Sequence, residues 1–424
     1  MSRHRGGRRA AEALARLSPS ERAVRFRLLE KDEALGAFEA MDAVHQRELL
    51  EALRDPAAHE LLEEMDPDDR ARMLHEAPAT VARRLLAGLS PHERALTADL
   101  LGYPDQSAGR MMSPEVIRLR ASMTAGQAIE HAGRTGAEAE TIYTLPVTDE
   151  ERTLVGVVEL RDLVLADPAE KVANLMAIEP EVAVTHDDQE AVARLMQEAD
   201  LLALPVVDGD HRLVGIVTVD DAMEVLEAED SEDVALVSAS QPLRDPYLSV
   251  SVARLVRSRI GWLLLLIAAA ALTVSVLDAF EDTLEQVVTL ALFVPLLIGT
   301  GGNAGAQAAT TLTRALAVGE VRLGDLAAVV ARETRVGLLL GATFGMLGYL
   351  PVALLFDSGI ATVVSLTLVA ICTLATFVGS VLPLLAKRLG VDPAVVSAPM
   401  ITTIVDATGL VVYFLIARAV LGLA

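Results

Sequence analysis

Apolar and charged positions divide this chain near Arg259. Before it, apolar residues recur at helix and strand spacing among many charges. After it, long apolar runs take over. Five of them, residues 260–277, 284–312, 336–356, 360–386 and 395–421, are long enough to cross a bilayer core of roughly 30 Å. The pattern predicts a soluble half followed by an all-α transmembrane half with five helices.

The first hundred residues repeat with a period of 24: LSPSER at Leu17, MDAVHQR at Met41, MDPDDR at Met65 and LSPHER at Leu89. Each begins with an apolar residue and then Ser or Asp, and three place Pro next. That order predicts a helix cap, a first helical residue with no N–H to satisfy, and an apolar staple before the cap. RDPAA at Arg54 and EAPAT at Glu76 mark further helix starts. Two short helices per period predict an α-helical solenoid. No catalytic set lies in it, so its role reads as structural or regulatory.

Residues 110–230 change texture. A capped amphipathic helix, an LPV strand, an acidic turn and an LVG strand ending in Asp occur twice, in TIYTLPVTDEERTLVGVVELRD and LLALPVVDGDHRLVGIVTVDD. The duplication resembles a tandem pair of α/β CBS domains. The resemblance implies an adenine nucleotide, ATP included, between modules. In the second module Thr218 would reach a phosphate and Asp221 would accept from ribose hydroxyls. The first module carries Glu159 where the pattern asks for Ser or Thr, so at most one such site is expected.

Composition narrows the choices. Net charge is −23, which argues against a nucleic-acid partner and suits a protein that meets cations. The lone Cys372 supplies no disulfide or cysteine cage. The basic start, MSRHRGGRRA, has no apolar stretch behind it, so it is not a secretory signal and the soluble half is expected in the cytoplasm. HExxH, a Walker loop and a supported Ser/His or Cys/His set are all missing, which argues against an enzyme. From Asp220 to Asp233 there are eight carboxylates and no Lys or Arg. Asp220, Glu224 and Glu227 share one helix face, either as a solvated surface or as an oxygen-only site for Mg2+ or Ca2+.

In the membrane half, Arg254, Arg257 and Arg259 precede the first span; Arg314, Arg322, Arg332 and Arg335 follow the second; Lys387 and Arg388 follow the fourth. The positive-inside rule puts the N-terminal half in the cytoplasm and the C-terminus outside. The second span contains VPLLIGTGGNAGAQAATTLTR, where Gly299, Gly301, Gly302, Asn303, Gly305 and Gln307 predict either a polar break on a transport path or a tight helix crossing. The fifth span carries Asp406 beside Thr402, Thr403 and Thr408. A mid-span carboxylate is by default functional. Mg2+ keeps much of its water, so one carboxylate with small polar neighbours suits it, and two chains sharing an axis would complete the site. Glu333 before the third span adds charge at the cytoplasmic end, or pairs with Arg335.

Nearly the whole chain resembles the MgtE family of magnesium channels and transporters, most specifically in VPLLIGTGGNAGAQAATTLTRALA and LGVDPAVVSAPMITTIVDATGL. The resemblance implies a helical N domain at 1–108, tandem CBS domains at 109–230, a connecting plug helix at 231–258 and a five-helix pore domain at 259–424. It also implies a homodimer in the lipid bilayer of the cell's inner membrane. Asp406, with Asn303 and Thr402, would hold hydrated Mg2+ in the pore. Glu190, Asp200, Asp221, Glu224, Glu229 and Glu232 would bind regulatory cytosolic Mg2+ that shuts it. Two departures, Ala306 and Ala398 where the family often has Asn, leave Mn2+ or Co2+ open. A coupled secondary transporter and a membrane Mg2+ or nucleotide sensor without transport are the competing functions.

Overall fold

The computed structural model describes residues 2–53, 55–243, 247 and 250–423. They form two compact units, one ending at Glu229 and the other starting at Asp230.

The N-terminal repeat is visible in the helix starts. After α1 (Ser2–Ala15) come α2 (Pro19–Phe26), α3 (Lys31–Glu39), α4 (Ala43–Ala52), α5 (Asp55–Glu63), α6 (Pro67–Glu76), α7 (Ala79–Gly88) and α8 (Pro91–Leu101). Even-numbered helices begin 24 residues apart, as do α3, α5 and α7. Asp42 accepts from the Val44 and His45 N–H groups, and Ser90 from that of Glu93, as the caps predict. Met41, Met65 and Leu89, which precede caps, are buried. Arg54 lies outside the described residues; the helix expected there begins at Asp55.

A second regularity holds the helices together. The fourth residue of each even-numbered helix is a long side chain that donates to a carbonyl eight residues earlier, near the end of the preceding helix. Arg22 reaches Leu14, Gln46 reaches Phe38, Arg70 reaches Leu62 and Arg94 reaches Leu86, at 2.8–3.1 Å. Helix C-termini leave carbonyls without partners, and a cation there also suits the helix dipole. The three arginines each reach a second carbonyl, those of Leu17, Met65 and Leu89. Arg70 is fully buried, with Thr97 and Glu93 taking its remaining donors.

The CBS pair follows. A short α9 (Ala108–Met111) and α10 (Ala125–Thr135) lead to β1 (Thr144–Thr148) and β2 (Leu154–Glu159), then α11 (Leu160–Leu165) and α12 (Val172–Leu175). The second module runs β3 (Ala183–Val184), α13 (Gln189–Glu198), β4 (Ala203–Val207), β5 (Leu213–Thr218) and α14 (Val219–Val237). β1–β2 and β4–β5 are antiparallel with matching registers, Val147 opposite Gly156 and Val206 opposite Gly215. The glycines allow chain to pass over the strands. A Cβ on Gly156 would lie 2.7 Å from the Ala177 carbonyl, and one on Gly215 2.8 Å from that of Ser113. The modules join through their turns, where Leu154 donates to His211 and Leu213 to Arg152. Ala71 and Leu100 of the repeat bury with Leu204 and Val217 of the second module.

The second unit contains α15 (Val252–Ala279), α16 (Glu281–Gln286), a 3-10 turn (Val288–Phe293), α17 (Val294–Ala317), α18 (Leu326–Leu355), α19 (Ser358–Arg388) and α20 (Ala398–Leu421). Among the described residues, five helical stretches are long and apolar enough to cross a membrane. Two expectations change. Residues 299–307 form no break: α17 is continuous, and the irregular backbone lies before it. Close packing on neighbouring helices compensates the low helix propensity of its glycines. Residues 231–258 are not one helix either. α14 ends at Val237, Ala239 takes a left-handed φ of 54°, and Pro242 offers no N–H to extend the helix. Residues 244–246, 248 and 249 of that segment lie outside the described residues.

The buried Arg70 carries the repeat's largest single test. Arg70→Ala leaves Glu93 and two carbonyls without it, and we expect a loss of about 3–5 kcal/mol in denaturant unfolding. Gln46→Ala, losing one neutral bond, should cost about 1 kcal/mol.

Candidate functional site

In the membrane half, α17 and α20 run antiparallel and meet through glycine. A Cβ on Gly305 would lie 3.0 Å from Ile401 Cγ2; one on Gly302 would lie 3.2 Å from Thr402 Cγ2 and 3.6 Å from Asp406 Oδ1. Thr402 and Asp406, one turn apart on α20, thus sit together over the Gly302 backbone. Asn303, next along α17, is exposed in the single chain and is not bonded to either. Thr402 and Thr403 donate to the Pro399 carbonyl, and Thr408 to that of Ile404, which leaves their lone pairs to accept from water. Asp406 is half-buried and makes no hydrogen bond or ion pair with the described residues. One chain presents one carboxylate here.

The residues expected to bind regulatory Mg2+ are dispersed. Glu190 pairs with Arg194 at 2.6 Å. Asp200 is exposed beyond α13, with φ 54°. Glu224 pairs with Arg72 of α6 at 2.7 Å, and Arg72 also pairs with Asp69. Glu229 accepts from Gln189 at 2.8 Å. Glu232 lies further along α14, half-buried, in the second unit. Thr218 donates to Asp221 at 2.7 Å, so the two residues expected to meet a nucleotide meet each other. In the first module Glu159 accepts from Thr144 instead.

The structure adds two acids that sequence reasoning missed. Asp68 of α6 is buried with Oδ1 unpartnered, and Glu140, in the loop between α10 and β1, has Oε2 buried and unpartnered. Both feel the Asp221 carboxylate. The signal for Asp68 was in the repeat: it falls in the first turn of a helix, where an acid reads as dipole compensation, yet its side chain points inward. Nothing local marked Glu140. The repeat, the first CBS module and α14 therefore each bring an acid to one region. Beside it, a cavity of about 710 Å³ is lined by six acids, Glu12, Glu39, Asp42, Asp69, Glu224 and Glu227, and by the basic Arg8, His45 and Arg72, among others. Among the described residues, no three His, Cys, Asp or Glu side chains converge closely enough to hold a metal ion.

Burial, and then the charges of Asp66 and Asp221, push Glu140 up to about 8. Burial likewise pushes Asp221 up to about 7, with Asp220 and Asp69 adding to it against the Thr218 hydrogen bond. Asp68 moves in the same direction, again mainly through burial. The folded chain thus holds protons that the unfolded chain has already released at ordinary carboxylate pH, about 4, so stability falls as pH rises from there and levels off above about 7 and 8. We expect the melting temperature of metal-free protein to fall across that range. Mg2+ should remove the fall, because a bound cation favours the ionised acids, and Glu140→Gln should flatten it.

Family models match three parts of the chain: the MgtE intracellular N domain at 8–106, CBS domains at 108–169 and 172–228, and the MgtE divalent cation transporter at 294–416. The magnesium transporter MgtE of Thermus thermophilus is 42% identical over 359 residues, covering 84% of this chain and 79% of that protein. The magnesium transporter MgtE of Bacillus subtilis is 34% identical over 360 residues, with the same coverage of 84% and 79%. A crystal structure of the cytosolic domain of the Mg2+ channel MgtE in complex with ATP is 36% identical, covers 51% of this chain and 93% of that one, and superposes with a TM-score of 0.40. The helical N domain, the CBS pair and the transmembrane helices thus belong to one transporter, not an enzyme, and the chain is a member of the MgtE family of divalent cation transporters.

Proposed function

We propose that this chain is a Mg2+-selective channel that passes Mg2+ down its gradient and is shut by cytosolic Mg2+. The observation that carries the proposal is Asp406. It is a carboxylate without a protein partner among the described residues, inside a membrane span, beside Thr402 and the bare backbone of Gly302. An intramembrane carboxylate of that kind is costly to keep unless a cation uses it. Mg2+ binds with several waters retained, so the threonine hydroxyls and the Asn303 amide would contact its hydration shell. Two chains would put two Asp406 carboxylates on a shared axis, which makes a homodimer the working unit.

The remaining parts take supporting roles. Residues 1–108 and 109–230 would form the cytosolic sensor, 231–258 the connection and 259–424 the pore. The charges flanking the spans support N-terminal domains in the cytoplasm and a C-terminus outside, and the membrane would be the cell's inner one. Acids crowded together without a cation repel; Mg2+ between them would draw the repeat and the CBS modules together. Glu190, Asp200, Asp221, Glu224, Glu229 and Glu232 remain the proposed set, and Asp68 and Glu140 join it on their burial. ATP would occupy the second CBS module, where its binding must open the Thr218–Asp221 hydrogen bond. Ala306 and Ala398 favour a second reading, in which Mn2+ or Co2+ passes as well.

Flux into proteoliposomes tests the pore. Asp406→Asn should lower Mg2+ uptake at least roughly tenfold, the equivalent of about 1.4 kcal/mol. No uptake by folded wild-type protein at low internal Mg2+ would favour a sensor without transport. Gating has a separate test. Millimolar Mg2+ on the cytoplasmic side should suppress wild-type flux, and Asp68→Asn should raise the concentration required. Flux indifferent to internal Mg2+ would remove the gating proposal and leave the pore intact.

A further inference from the structure

The C-terminal end of α20 grips the segment that leads into α17. Tyr413 is fully buried, and its hydroxyl donates to the Leu290 carbonyl at 2.8 Å. Leu290 lies in the 3-10 turn, and the N–H of Val294 goes to Ala291 rather than to Leu290. Pro295, next in the chain, has no N–H to give. The phenol therefore serves a carbonyl where regular helix pairing has not yet begun. Further along α20, Arg418 Nε donates at 2.8 Å to the hydroxyl of the buried Thr283, and its guanidinium lies 4.8 Å from the Phe280 ring centroid. Phe280 stacks on Phe414 with centroids 4.9 Å apart. Three side chains of α20 thus hold the segment at Phe280, Thr283 and Leu290.

These contacts continue the line that ends at the candidate site. Arg418 meets Thr283, Tyr413 meets Leu290, Thr402 and Asp406 meet Gly302, and Ile401 meets Gly305. The helix that carries Asp406 also determines how far along its axis, and at what rotation, α17 presents Gly302. We propose that Tyr413 and Arg418 are positioning residues for ion passage. They set the depth at which Gly302 meets Thr402 and Asp406, and through it the discrimination among divalent cations. The inference rests on Asp406 lining the pore. Divalent cations of equal charge are told apart by the spacing of groups around them, and Mg2+ demands near-ideal octahedral geometry. A shift of well under a helical turn would blur that spacing. Arg418 acts through its planar fork and its stacking on Phe280, which an ammonium does not reproduce.

The test measures Mg2+ and Co2+ uptake by the full chain in proteoliposomes, for wild type, Tyr413→Phe, Arg418→Gln, Thr283→Val and Asp406→Asn. The ratio of Co2+ to Mg2+ flux should rise at least roughly threefold in Tyr413→Phe and Arg418→Gln. A merely structural role lowers both fluxes by one factor and leaves the ratio unchanged. Thr283→Val removes the acceptor of Arg418 without altering α20, should raise the ratio in the same way, and decides the matter for Arg418 if Arg418→Gln fails to fold. A wild-type ratio in the folded variants, with Asp406→Asn inactive, overturns the inference. Flux retained by Asp406→Asn overturns the pore assignment instead.

Discussion

The membrane half depends on backbone-to-backbone approach at glycine. A Cβ on Gly379 of α19 would lie 2.4 Å from the Gly305 carbonyl of α17, and one on Gly301 would lie 2.2 Å from Ile371 Cγ2. Gly337 and Gly341 seat α18 on α19 in the same manner, with a Cβ meeting the Cys372 carbonyl at 2.6 Å and Val369 Cα at 2.5 Å. Lipid tails are as apolar as leucine, so helices in a bilayer gain little from burying oil and associate through close contact instead. Larger residues at Gly302 and Gly305, which face Thr402, Asp406 and Ile401, would likewise push α17 away from α20. Asp406 would then face side chains rather than the bare turn at Gly302. Glycine is used here for its absence of bulk, because the helix around it is regular.

A second constraint recurs in both units, the need to give every helix-end carbonyl a partner. In the N-terminal repeat, Arg22, Gln46, Arg70 and Arg94 meet it by reaching back to the helix before them. In the membrane half, Lys387 meets it at the end of α17, where its Nζ donates to the Leu316 carbonyl at 3.0 Å. The buried acids of the first unit stand apart from this habit. Asp68 and Glu140 each keep an oxygen without a partner. Groups left that way inside a protein raise the free energy of the empty form and so favour whatever ion or proton neutralises them.

Much of the architecture was legible because it rests on local rules. Caps and prolines marked the helix starts of the repeat, duplicated LPV and LVG strands marked the CBS pair, and uncharged runs marked the spans. What was missed depends on which segments return to one another. A glycine cluster suits a break and a crossing equally, and only the presence of Ile371, Thr402 and Ile401 opposite it decides for the crossing. The acidic run from Asp220 drew attention by its density, yet its inward partners, Asp68 and Glu140, come one at a time from distant segments. Arg22, Arg70 and Arg94 read as ordinary surface charge until the preceding helix is seen to end beneath them.

The joints of the repeat are unequal. At three of them an arginine spans two carbonyls or, at Arg94, three; at the fourth, Gln46 supplies one bond to Phe38 and no charge. Stacked repeats open where the coupling between neighbours is weakest. Ion pairs that skip the α3–α4 junction take up that coupling: Arg22 of α2 meets Glu48 of α4, and Lys31 of α3 meets Glu60 of α5, so the joint with the weakest bond of its own is bridged from both sides.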